Sequence, residues 1–388
     1  MSKALLLGLS LSICLFLLEL GLRVATPFPI DSPSANIIDD PLLGQKVDPA
    51  LPDVDERGFR NPPGIENPSV VAIGDSHTYG YNVSSENSWP AQLARLLGVP
   101  VYNLGVGGYG MLQYHDLMPE ALAMHPERVL VALYLANDLV NICGYVRLEH
   151  WKTKLAGSEA ERRLQQSCRV LSRPDGSPLE APPEREEDLS LARRTALGSA
   201  LRHLVWMPLK SELSIRGWIG AADPRWLRID DPRNGTLVSL TRLRIHAGYM
   251  DLTRREVTAL VDFSKARLQA MRRRAEAAGA SLGVMLVPTR ERVLYAYLRD
   301  GGFELPAEFE RLFEVEGAAT RDFLAFFAEE GIEAVDLLPY LAARLEEGGV
   351  YPRREDGHPL ALGYEAYARG AYEAFFGPSD ASGSAPPQ

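Results

Sequence analysis

Short apolar runs halted by turn residues set the frame of this chain. Val70-Val71-Ala72-Ile73 stops at Gly74-Asp75-Ser76, Val99 to Val106 gives way to glycines, and Arg128 to Leu135 ends at Ala136-Asn137-Asp138. These predict strands over Ser69–Asp75, Val99–Val106 and Arg128–Leu135. The third is apolar almost throughout, as in a sheet covered on both faces. Helical spacing fills the intervals, over Ser88–Leu97 and Met111–Met124. Strand and helix alternate, which predicts a parallel α/β sheet.

The alternation lapses between Leu139 and about Thr253. That stretch has mixed charge, a turn-rich Pro174-Asp175-Gly176-Ser177-Pro178 and a solvated Glu184-Arg185-Glu186-Glu187-Asp188 run. It is too long for a plain loop, so 139–253 reads as an inserted cap with structure of its own. The pattern resumes with a helix over Arg254–Ala278, a strand over Ser281–Pro288 and helices to about Glu330. A strand over Ile332–Leu338 and a closing helix over Pro359–Phe376 complete it. Residues 68–138 and 254–377 thus form one discontinuous domain. Residues 378–388 are small, polar and proline-rich, and read as a disordered tail.

Two segments precede the domain. Residues 4–22 are almost wholly apolar, matching the ~20 residues a bilayer-crossing helix needs. Lys3 stands before them and Asp31, Asp39 and Asp40 after, a bias that puts the start of the chain in the cytoplasm and the rest outside. Glu19 and Arg23, four apart, can pair. No small residue precedes Cys14 as lipidation would need, and Val24-Ala25-Thr26-Pro27 is a poor cleavage site, so the segment reads as an uncleaved signal anchor. Residues 27–67, rich in Pro and Asp, read as an extracytoplasmic stalk. The expected location is therefore membrane-anchored, with the larger part in a bacterial periplasm or at the cell exterior. Of three cysteines, Cys143 and Cys168 fall on that oxidising side, where a disulfide and two separate thiols are both open.

The 388 residues carry a formal net charge of -10 and no basic stripe, which excludes a nucleic-acid partner. No cluster of Cys, His and carboxylates has metal-ligand spacing, and no cofactor motif is present. The oligomeric state is open.

Chemistry concentrates where the strands end. Acyl transfer through serine needs a base beside the hydroxyl, a carboxylate behind that base, and donors aimed at the oxyanion. Ser76 follows a strand and a glycine, at the edge where open α/β sheets place their sites. By itself Gly-Asp-Ser is also an ordinary capping turn. Asn103-Leu104-Gly105-Val106-Gly107-Gly108-Tyr109-Gly110 ends the second strand, Leu135-Ala136-Asn137-Asp138 the third, and Asp356-Gly357-His358 precedes the last helix.

These four blocks in this order resemble the SGNH (GDSL) hydrolase superfamily over Ser69–Asn137 and Ala280–Phe376. The pattern from Glu19 to Arg23 is similar to the anchors of its membrane-anchored bacterial branch. The resemblance implies a flavodoxin-like three-layer α/β/α fold, Ser76 as nucleophile, His358 as general base and Asp356 as the group orienting it. The oxyanion donors would be the Ser76 N–H, the Gly108 N–H and the Asn137 amide. Two positions depart from the pattern. Leu135 stands where the third block usually has glycine, and Glu355 occupies the acid's commoner spacing, although Asp356 with its following Gly-His-Pro fits the shorter one.

Other candidates are weaker. His77 points away from the site if its turn is extended, and reads as a loop residue or one that supports the site from behind. Arg290, just past a strand, could greet an anionic substrate, and Asp336 reads as a helix cap. Trp206, Trp218 and Trp226 read as packing within the cap, and no metal spacing links His115, His125, His150, His203 and His246. An α/β-hydrolase is excluded: Thr78 replaces the last glycine of its elbow, and acid and base are only two residues apart. The expected function is an exported, membrane-tethered serine esterase removing acyl groups, often acetyl, from carbohydrate or other small acyl esters. An O-acyltransferase acting on an envelope or secreted polysaccharide is the enzyme alternative. A non-catalytic envelope binding or assembly protein is the alternative from another class.

Overall fold

A computed structural model describes residues 3–25, 37–51, 53–146, 151, 158–171, 196–201, 205–206, 209, 213 and 225–377. Helix α1 is Lys3–Ala25, and a hairpin pairs β1 (Ile37–Asp40) with β2 (Gly44–Val47). The alternating part then runs β3 (Val70–Ile73), α2 (Ser76–Tyr79), α3 (Trp89–Leu97), β4 (Val101–Asn103), α4 (Met111–Leu122), β5 (Arg128–Tyr134) and α5 (Leu135–Tyr145). The insertion contributes α6 (Glu159–Val170), α7 (Ala196–Leu201), a second hairpin β6 (Trp226–Ile229) and β7 (Thr236–Ser239), and α8 (Leu240–Met250). The chain closes with α9 (Arg255–Ala277), β8 (Ser281–Val287), α10 (Arg290–Asp300) and α11 (Ala307–Glu330). Then come β9 (Glu333–Asp336), α12 (Leu338–Ala342) and α13 (Ala361–Phe375).

Five strands form one parallel sheet in the order β4-β3-β5-β8-β9. Val71, Ala72 and Ile73 of β3 and Val129, Leu130, Val131 and Leu133 of β5 have no exposed surface. Such runs are stable only between two helical layers. Helices α3 and α13 pack together on one side, while α4, α9 and α11 pack on the other. This is the expected three-layer α/β/α sandwich. The chain enters at β3, steps to the edge at β4 and returns past β3 to β5. The direction of winding therefore switches between β3 and β5, where the crevice of such sheets opens at the strands' C-terminal ends.

Three expectations need correction. The described part of the stalk is not a stalk. Leu43, Val47 and Phe59 are buried in the main core. Arg60 pairs with Asp53 at 2.6 Å and donates to the carbonyls of Gly80 and Val83 at 2.8 and 2.9 Å. Secondly, the expected transmembrane span at 4–22 is not supported: among the described residues, no helix is long and apolar enough to cross a membrane. Helix α1 packs against α7, and its Glu19 accepts the Leu197 N–H at 2.8 Å. Thirdly, the indoles of Trp206 and Trp226 do not pack the cap but stay 56% and 37% exposed.

A disulfide joins Cys143, near the end of α5, to Cys168 on α6, tying the insertion to the sheet's helical layer. Residues 27–36, Pro174–Pro178, Glu184–Asp188, Trp218, His150, His203 and the tail 378–388 lie outside the described residues.

Candidate active site

Ser76 is placed by its immediate neighbours. A Cβ on Gly74 would come 2.0 Å from Thr78 Oγ1, so only glycine lets the chain fold back so tightly after β3. Asp75 then caps the turn, its Oδ1 accepting the His77 N–H at 2.9 Å, and its carbonyl accepts the amides of Thr78 and Tyr79. The helical turn α2 starts at Ser76 itself and aims its hydroxyl out of the sheet edge.

Across the crevice lies the loop that precedes α13. His358 Nε2 stands 2.7 Å from Ser76 Oγ, and His358 Nδ1 stands 2.7 Å from Asp356 Oδ1. An ionised carboxylate can only accept, so Nδ1 carries the proton and Nε2 is left as the acceptor for the serine O–H. Burial alone would raise the Asp356 carboxyl. The hydrogen bonds and charge of His358, with a further bond involving Asn82, outweigh it and hold the group far below the carboxylate range. The neighbouring Glu355 contributes its carbonyl to Arg242 at 3.3 Å, while Asp356 makes the imidazole contact.

Long-range side chains hold this irregular loop. Arg290, only 1% exposed, donates to the carbonyls of Arg354 and Asp356 at 2.6 and 2.9 Å, and to Thr236 Oγ1 and Leu237 O on the β6–β7 hairpin. Glu291 balances its charge at 2.7 Å. Arg290 therefore does not greet a substrate: its guanidinium is spent on internal acceptors. Thr236 Oγ1 donates to the same Arg354 carbonyl at 2.6 Å, and Arg353 reaches back to Asp231 O at 2.9 Å. Arg354 bridges Asp356 Oδ2, at 3.1 Å, and Asn82 Oδ1.

The third wall is the turn after β4. Gly108 adopts the left-handed region at φ 82°, and a Cβ on Gly107 would sit 3.8 Å from the Ser76 Cβ, so the turn lies against Ser76. Its carbonyls are fixed from outside, Gly107 O by Gln45 Nε2 at 2.8 Å and Gly108 O by Asn141 Nδ2 at 3.2 Å. Asn137, in the first turn of α5, donates from Nδ2 to Asp75 Oδ2 at 3.2 Å, while its buried Oδ1 has no hydrogen-bond partner. Asp75 also lies 3.3 Å from Ser76 Oγ, and burial raises its carboxyl. Burial likewise raises Asp138 well above the usual range, despite hydrogen bonds from Tyr114 and the Tyr134 N–H.

Thus Ser76, Gly108, Asn137, Asp356 and His358 meet at one crevice, as their sequence blocks suggested. His77 supports the site from behind, but the direction of its ring is a correction. Because the turn is helical rather than extended, its ring faces inward, 4.8 Å from the ring of His358. Burial holds it well below the usual histidine range, and its Nδ1 lies 3.1 Å from the Tyr367 hydroxyl. Asp336 caps α12, accepting the Leu338 N–H at 2.9 Å. Tyr81, Asn82 and Arg354 escaped the sequence reading. Only Tyr81 carried a hint, its nearness to Ser76. Among the described residues no group of three or more His, Cys, Asp or Glu side chains is arranged to hold a metal ion.

The model of the GDSL-like lipase/acylhydrolase family matches residues 72–206, a stretch containing Ser76, Gly108 and Asn137. No curated protein matches the chain. Among solved structures it is similar to an extracellular lipase from Streptomyces rimosus, at 13% identity and a TM-score of 0.38 over 79% of this chain and 98% of that one. A GDSL-like lipase from Bacteroides thetaiotaomicron gives 10% and 0.33 over 79% and 87%. A variant of an acetyl-xylooligosaccharide esterase from Geobacillus Stearmophilus gives 11% and 0.35 over 80% and 94%.

Proposed function

From the match of residues 72–206 to the GDSL-like lipase/acylhydrolase family, we propose that this chain is a serine esterase working through an acyl-enzyme on Ser76. The observation that carries the reading is the unbroken line from Ser76 Oγ through His358 to Asp356, 2.7 Å at each step, between residues 282 apart. In the first half-reaction Ser76 Oγ attacks the ester carbonyl while its proton passes to His358 Nε2. The Ser76 and Gly108 N–H groups and the second N–H of Asn137 receive the oxyanion. Collapse expels the alcohol, which takes the proton from His358. In the second half a water repeats the attack and leaves a carboxylic acid and free Ser76. Asp356 keeps the tautomer and steadies the imidazolium throughout.

The polar rim suits a hydroxylated alcohol. Gln45, Asn141 and Arg242 stand around the crevice, whereas the exposed large apolar side chains, such as those of α1, Leu96 and Trp206, belong to other surfaces. An acetylated carbohydrate suits that chemistry. Action outside the cytoplasm is supported by the Cys143–Cys168 disulfide, which persists in oxidising compartments.

The test is turnover of p-nitrophenyl acetate by the purified full chain, with and without an added polysaccharide, beside Ser76→Ala. The variant should lose essentially all activity. Equal activity in both proteins would overturn the assignment of Ser76, and acetyl recovered on the polysaccharide would replace hydrolysis with acyl transfer.

A further inference from the structure

The seven residues that begin with the nucleophile also grip its base. Tyr81 lies stacked on the His358 imidazole, ring centroids 5.0 Å apart and planes 29° from parallel. The His77 ring stands 4.8 Å away at 38°. Asn82 Nδ2 donates to the His358 carbonyl at 3.1 Å, so the same segment holds both ring and backbone of the base.

This grip requires unusual backbone, which argues that it is built in. Gly80 and Asn82 both take the left-handed region, at φ 85° and 68°, and Asn82 does so with a side chain. A Cβ on Gly80 would come 2.6 Å from the Cβ of Ser88. Arg60 then clamps the segment from outside. Its guanidinium donates to the carbonyls of Gly80 and Val83 at 2.8 and 2.9 Å and covers the Tyr79 ring at 4.8 Å. His77 is in turn fixed by the Tyr367 hydroxyl and by the Tyr134 ring at 4.4 Å.

We propose that Tyr81 is a positioning residue for the acyl-transfer reaction, keeping the His358 imidazole between its own ring and that of His77 so that Nε2 stays on Ser76 Oγ. The inference rests on the esterase reading above. During turnover the imidazole gains and loses a proton twice, and each time its attraction to Ser76 changes. A ring free to swing on χ2 would lose the 2.7 Å contact in the interval. The aromatic face also favours the imidazolium, since the electron-rich ring attracts a cation placed over it. The contact needs the ring and not the phenol, whose proton burial holds in place.

The experiment compares Tyr81→Phe, Tyr81→Leu and Ser76→Ala in the full chain on p-nitrophenyl acetate, with melting temperatures as a control. Tyr81→Phe should keep kcat within about twofold. Tyr81→Leu should lower kcat by about tenfold to a hundredfold, the cost typical of a slightly misplaced catalytic group, while KM stays within about twofold. The low-field proton resonance of the His358–Asp356 hydrogen bond should persist in Tyr81→Phe and broaden in Tyr81→Leu. Unchanged kcat in Tyr81→Leu, or a rise confined to KM, would overturn the proposal. If Tyr81→Leu does not fold, Tyr81→Met and Asn82→Ala put the same question, with the same kcat loss expected. An active Ser76→Ala would instead sink the esterase reading, leaving the two failures distinct.

Discussion

Ser76 and His358 reach the same crevice by opposite means. Ser76 needs little beyond its neighbours: β3 fixes the approach, Gly74 permits the fold-back and Asp75 caps the turn. The loop with Asp356 and His358 has no regular structure. It is held by Arg290, Thr236 and Asn82, each at least 54 residues from the others in the chain, acting on its carbonyls. One half of the site is a local consequence of sequence. The other is a tertiary product, and should fail first when distant parts of the molecule are disturbed.

The largest effect should come from the acid itself. Asp356→Asn should cost about 10⁴-fold in kcat, by analogy with other triads, because an amide favours the wrong imidazole tautomer. Glu355→Gln, one residue away, should change kcat by less than about threefold. Equal losses in the two variants would mean that the loop carries the acid differently. Next comes the brace. Arg290→Met removes both bonds to the loop and strands buried Glu291. It should destabilise the chain by about 3–5 kcal/mol in urea unfolding and lower kcat by about a hundredfold. Retained kcat would show that the loop holds itself, abolishing the contrast between the two halves.

The smallest effect concerns pH, and it too belongs to the long-range half. Burial pushes His246 down to about 4 and Glu316 up to about 7. Unfolded histidine titrates near 6.5, so as pH falls from there to about 4 the unfolded chain gains a proton that the folded chain refuses, and stability drops. Unfolded glutamate titrates near 4.5, so as pH rises from there to about 7 the unfolded chain ionises first, and stability drops in that direction. Each trend amounts to at most about 3 kcal/mol, and the two oppose one another across one window. Measured against the wild type at each pH, Glu316→Gln should therefore lose ground as pH falls, and His246→Gln as pH rises. Parallel curves for all three proteins would refute the opposition.

The same divide separates what could be read in the sequence from what could not. The strands at 70–73, 128–134 and 281–287 and the helices at 255–277 and 361–375 follow from apolar periodicity, which local chain geometry preserves. Ser76, Gly108, Asn137, Asp356 and His358 were legible because each sits at a strand end or before a helix. The role of Arg290 was not legible, because a charged residue at a strand end could as well be a ligand-binding group or a plain loop residue until its five internal acceptors are seen. The direction of the His77 ring was misread because alternation was assumed where Asp75 makes a helical turn. Residues 37–67 looked like a tether because proline and aspartate hide the three apolar anchors, Leu43, Val47 and Phe59, that seat them.

The distance of 282 residues between Ser76 and His358 has a consequence for the chain's own birth. Synthesis adds ~5–20 residues each second, so the serine exists for roughly 15 to 60 seconds before its base is made. Throughout that interval, and in any fragment clipped ahead of residue 350, the hydroxyl has its turn and its sheet but nothing to take its proton. On the esterase reading proposed above, Ser76 stays inert until that last loop has been made and has folded.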